Sequence, residues 1–98
     1  MLVASLAHAQ KHTISGSIKD AASDESLIGA NIYNMSSLQG TTANNYGFYS
    51  ITLPQDSVHL RISYVGYENQ IVSFLLTRDT TVNFALARDG YSFSAEDW

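Results

Sequence analysis

Between Gly40 and Glu68 hydrophobic and polar side chains take turns along the chain. Tyr49, Ile51 and Leu53 alternate with Phe48, Ser50 and Thr52. Val58, Leu60, Ile62 and Tyr64 alternate with His59, Arg61 and Ser63. A period of two sends one set inward and the other to water, the signature of half-buried strands. Asn44, Asn45 and Gly47 supply turn chemistry ahead of Tyr49, because Asn and Gly tolerate positive φ. Pro54 closes the strand that follows, since it has no N–H for a ladder.

The same reading extends to the rest of the chain. Lys11–Lys19 reads as a first strand with Ile14, Gly16 and Ile18 on one face, and Asp20–Ser26 as a polar, solvated loop. Leu27–Met35 is a second strand, with Ala30 and Ile32 inward, Asn31 and Tyr33 outward, and Gly29 at a bend or close approach. Ser36–Gln39 turns the chain into a third strand, Gly40–Ala43. Gly47–Leu53 and Val58–Val65 follow, and Gly66 marks a turn. Asn69–Leu75 is a sixth strand whose faces the pattern leaves open, because Ile71, Val72, Phe74 and Leu75 break alternation. Thr81–Leu86 is the seventh, with Val82, Phe84 and Leu86 inward and Asn83 outward. No stretch after Gln10 sustains a helical period, and no internal repeat is visible. Short strands at even spacing with turns between them predict an all-β fold, a seven-stranded Greek-key β-sandwich.

Domain limits follow from the ends. Residues 1–10, MLVASLAHAQ, combine an apolar run with an A-x-A-like Ala7-His8-Ala9, and read as a signal-peptide remnant lacking a basic start. The competing reading is an ordinary apolar arm. Residues 11–87 form the sandwich domain, and residues 88–98, with Tyr91, Phe93 and Trp98, read as a tail. At 98 residues, the chain is one domain with room for one core.

Composition narrows the function classes. Charged residues make up only 14% and hydrophobic ones 45%, which excludes long disordered charged tracts. The net charge of −4, with five Lys and Arg and no basic stripe, excludes nucleic-acid binding through the phosphate backbone. There is no cysteine, hence no disulfide framework and no thiolate metal site. No apolar run is long enough to span a bilayer as a helix.

Candidate chemistry is sparse. His8, His12 and His59 lack the spacing and further ligands of a zinc site. Asp20, Asp24 and Glu25 cluster, but without the ligand periodicity and central Gly of a calcium loop. No serine sits in a nucleophile-elbow context and no glycine-rich phosphate loop occurs. The reading is therefore non-enzymatic, with no cofactor and no metal. Tyr33, Tyr46, Phe48 and Tyr67 are expected to be exposed, while Tyr49 and Tyr64 belong to the core. Exposed aromatics stack on a sugar or a partner in one reading, and brace strand corners in the other, which is favoured.

Four blocks together, ISGSIKD, LIGANIY, GTTANNYGFYSI and LRISYVGYE, resemble the carboxypeptidase-regulatory-like (transthyretin-like) domain. The similarity covers about Thr13 to Leu86 and is nearest to the copy found at the N-terminus of SusC-type TonB-dependent outer-membrane receptors of Bacteroidetes. That resemblance implies a seven-stranded sandwich exported to the periplasm, ahead of a plug and barrel that import glycans or peptides. Gly16, Gly29, Gly40, Gly47 and Gly66 fall on the family's structural glycines, and Tyr49, Tyr64 and Tyr67 on its aromatic positions. The acidic residue usual before the fourth of these glycines is replaced by Asn44 and Asn45. No plug-like segment follows Leu86, so the chain is expected to be a fragment, a truncated gene or a stand-alone relative.

The expected function is a periplasmic accessory domain that docks onto a cell-envelope protein, a plug and barrel or a lipoprotein. The alternatives are a carbohydrate-binding module using Tyr33, Phe48 or Tyr67, and a surface adhesion module.

Overall fold

A computed structural model describes residues 10–89, and over them the alternating strands close into two sheets. Strand β1 (Lys11–Asp20) is followed by β2 (Asn31–Asn34), β3 (Gln39–Thr42), β4 (Phe48–Pro54), β5 (Asp56–Ser63), β6 (Gln70–Leu76), β7 (Thr80–Thr81) and β8 (Phe84–Leu86). One sheet has the order β4-β1-β7, with β8 also on β1; the other has the order β3-β2-β5-β6. The chain changes sheets between β1 and β2, β3 and β4, β4 and β5, and β6 and β7, which makes the Greek-key β-sandwich the pattern predicts.

The core is the inward set of those alternations. Ile14 and Ile18 of β1, Ile51 and Leu53 of β4, and Val58, Leu60 and Ile62 of β5 are all buried, with Ala30, Ile32, Tyr49, Phe84 and Leu86. Each Ile, Leu, Val or Phe among them, taken out of water, contributes about 1.5–3 kcal/mol. In β6 the register settles what the sequence left open. Val72, Phe74 and Leu76 turn toward the core, while Ile71 and Leu75 face water.

Several elements differ from expectation. The second strand is shorter, because the backbone turns at Gly29 (φ 83°) and reaches β geometry only at Asn31. Leu27 still enters the core, from a loop. The fifth strand ends at Ser63, leaving Val65 93% exposed in a turn and Tyr64 only half-buried at the edge of the core. Asp20 is not in a solvated loop but ends β1, at 2% exposure.

The seventh segment splits into β7 and β8, yet both keep one parallel register on β1: Ile14 opposite Thr80, Ile18 opposite Phe84. Between them the chain is pinched against Gly16. A Cβ built on Gly16 would lie 2.0 Å from the Val82 carbonyl oxygen. The Val82 N–H still donates to the Ser15 carbonyl at 2.9 Å, but the next ladder bond is replaced by Asn83, whose Oδ1 accepts from the Ser17 N–H at 2.9 Å. The Tyr49 hydroxyl donates to the Val82 oxygen at 2.6 Å.

Past β8, Arg88 bridges to Tyr67 and the Asp89 N–H bonds the Gly66 carbonyl, so contacts of the sandwich continue past residue 87, at least to Asp89. The signal-like segment up to residue 9 and the tail aromatics Tyr91, Phe93 and Trp98 lie outside the described residues.

Candidate functional site

Three surfaces could carry chemistry or contacts. The first is an ionic cluster where the end of β1 meets the loop before β6 and the residues after β8. The Asp20 carboxylate accepts from the Ala22 and Ser23 N–H groups at 2.7 and 2.9 Å on one oxygen. On the other it accepts from the Tyr67 hydroxyl at 2.5 Å and from Arg88 Nε at 3.0 Å. The Arg88 guanidinium also lies 5.5 Å from the Tyr67 ring centre. These donors, Tyr67 foremost, hold the Asp20 carboxyl far below the usual carboxylate range against the opposing effect of burial. The same bond raises the Tyr67 hydroxyl.

A carboxylate bonded on both oxygens and shut from water has no lone pair to offer a substrate. It therefore ties three chain segments together. Tyr67 is thus corrected: it is not an exposed contact aromatic but a half-buried member of this cluster, its ring 5.6 Å from that of Tyr64. Neither Asp20 nor Arg88 stood out in the sequence as its partner, because the three residues meet only in the folded chain.

The second surface is a shallow basin of about 300 Å³ on the outer face of the β3-β2-β5-β6 sheet. Asn31, Tyr33, Thr42, Arg61 and Ser63 line it. Cross-strand register puts Gly40, Tyr33 and Arg61 in one row and Thr42, Asn31 and Ser63 in the next. The half-buried Tyr33 ring reaches over Gly40, where an added Cβ would sit 3.0 Å from Tyr33 Cδ1. The Arg61 guanidinium covers the ring at 5.4 Å.

The third is the end of the other sheet. Phe48 is 55% and Tyr46 73% exposed. Asn44 builds the turn between them, its side-chain oxygen accepting from the Tyr46 and Phe48 N–H groups. Gly47 sits in that turn at φ 79° with Ser26 directly beside it. Tyr33, Phe48 and Tyr67 therefore occupy three separate places and form no common platform.

Gly66 also has positive φ, in the turn after Val65. Among the described residues no three His, Asp or Glu side chains gather as metal ligands. His12 bonds Gln55, and His59 bonds Ser73. Asn34, buried and unremarked in the sequence, fastens the β2–β3 hairpin through Ser37 and holds the His59 N–H of β5.

A family model described as CarboxypepD_reg-like domain matches residues 14–94. The chain belongs to this family. The carboxypeptidase-regulatory-like domain also has structural counterparts, which share its fold. The Bacillus anthracis TIE protein superposes with a TM-score of 0.60 at 15% identity, covering 80% of this chain and 17% of that one. A DUF3823 family protein from Parabacteroides merdae gives a TM-score of 0.60 at 15% identity, covering 83% of this chain and 48% of that one. The domain thus spans less than half the length of either protein. No curated protein matches it. No helix among the described residues is long and apolar enough to cross a membrane.

Proposed function

We propose that this carboxypeptidase-regulatory-like domain is a non-enzymatic interaction module of the cell envelope, the N-terminal module of, or derived from, a TonB-dependent outer-membrane receptor for glycan or peptide uptake. The observation that carries the non-enzymatic part is Asp20. Among the described residues it is the one carboxylate held far from its ordinary acidity, and all its acceptor capacity goes to Tyr67, Arg88 and the backbone. Perturbed acids mark reaction centres when they face a cleft; this one faces the protein. The family match over residues 14–94 supports an accessory role, and the Parabacteroides neighbour is compatible with a Bacteroidetes receptor. Fractionation of the producing bacterium tests the placement: recovery with the periplasm or outer membrane is expected, and recovery with the cytoplasm refutes it.

The basin at Tyr33 and Arg61 favours a second reading, glycan binding, because an aromatic ring lies beside Asn31, Thr42 and Ser63 as polar partners. Calorimetry with a glycan panel tests it. Heat of binding that disappears in Tyr33→Ala supports it; no heat at millimolar glycan removes it.

A further inference from the structure

The edges of the two sheets are unequally protected. Strand β3 has four residues, β4 ends in Pro54, and β7 and β8 are short and interrupted. Beyond β8, the Tyr67–Arg88 bridge ties the chain down. Such devices keep a sheet edge from pairing with another chain. Strand β6 has none of them. Its seven residues, QIVSFLL, hold no charge, no proline and no break in register against β5. Among the described residues nothing pairs with its other side. Ile71 and Leu75 project to water at 58% and 64% exposure, and Val72 and Phe74 are covered only in part.

The sequence of this edge is complementary to itself. An antiparallel copy centred on Ser73 sets Ile71 against Leu75 on the outer face and Val72 against Phe74 on the inner one. Both are apolar cross-strand pairs. The flanks match too. The same centre brings the flank carrying Glu68 of one copy, two residues before β6, toward the flank carrying Arg78 of the other, two residues past it, twice by symmetry, and both residues are exposed. We propose that β6 pairs with β6 of a second copy of the chain about a two-fold axis at Ser73, joining two four-stranded sheets into one continuous sheet. This does not depend on the envelope or glycan readings.

The chain has no cysteine, so single-cysteine variants of the full chain read the register directly. Residues opposite each other across antiparallel strands have Cα atoms about 4.5–5.5 Å apart, inside the disulfide range of about 4.4–6.8 Å. Ser73 is exposed, so Ser73→Cys leaves the core intact. Ser73→Cys is expected to form a covalent dimer on mild oxidation. Ile71→Cys and Leu75→Cys are expected to fail alone, their own copies standing about 14 Å away, and to cross-link when mixed. In sedimentation at low salt, Glu68→Arg is expected to weaken association on the order of tenfold, and Glu68→Arg with Arg78→Glu to restore it. An unmodified chain that stays monomeric at millimolar concentration overturns the proposal. So does Ile71→Cys cross-linking as well as Ser73→Cys, or a double charge exchange that fails to restore association.

Discussion

Gly16→Ala tests how the two ends of the chain are held together. The substitution adds one methyl group to β1, opposite Val82 in the parallel register. Its Cβ would fall 2.0 Å from the Val82 oxygen and 2.7 Å from the Val82 carbonyl carbon. Both are backbone atoms, so no rotamer change relieves the overlap and the chain between β7 and β8 must move. Overpacking of this kind costs about 1–3 kcal/mol, occasionally more. The movement also takes the Val82 oxygen from the buried Tyr49 hydroxyl, now 2.6 Å away, and an orphaned buried donor costs about 1–3 kcal/mol. Together these come to on the order of 2–6 kcal/mol, a large share of the roughly 5–15 kcal/mol that stabilises a domain of this size. Urea unfolding followed by circular dichroism measures it. Tyr49→Phe apportions the loss: alone it is expected to cost about 0.5–1.5 kcal/mol, and almost nothing in the Gly16→Ala background. A Gly16→Ala loss below about 1 kcal/mol, or fully additive losses in the double variant, would refute the pinched-strand account.

Three further outcomes are expected. Ile62→Ala removes a fully buried side chain where β2 and β5 pair, and should cost about 2–5 kcal/mol in denaturant titration. Gly47→Val forces a β-branched residue to φ 79° with Ser26 2.8 Å from the new Cβ, and thermal melting should show severe destabilisation; an unchanged midpoint rejects that turn. Asp20 has a depressed folded-state pKa, so its contribution is fully present above the unfolded carboxylate range and is lost as pH falls from that range through the lower folded value. The melting-point gap between the parent chain and Asp20→Asn should therefore narrow from about pH 6 to about pH 2; a constant gap means the charge is not what the cluster uses.

The alternation of Tyr49, Ile51 and Leu53, and of Val58, Leu60 and Ile62, was enough to place these side chains inside, because a strand sends every second residue the same way whatever its neighbours. Asn44 and Gly47 announced their turn for an equally local reason: the Asn side chain bonds the backbone two and four residues on. Strand pattern and family blocks together thus point to the sandwich from the sequence alone. Tertiary structure alone decided the rest. Asp20 and Arg88 are 68 positions apart, and no local rule says that a loop-like acid will be buried by a residue near the far end. Tyr67 looks like any exposed strand-end tyrosine until that acid takes its hydroxyl. The interruption at Val82 depends on the space left above Gly16, and the faces of β6 on its register with β5. Side-chain direction along one strand is a property of the backbone next door in sequence, whereas ion pairing, burial of a charge and the exposure of an edge depend on which strands arrive from elsewhere.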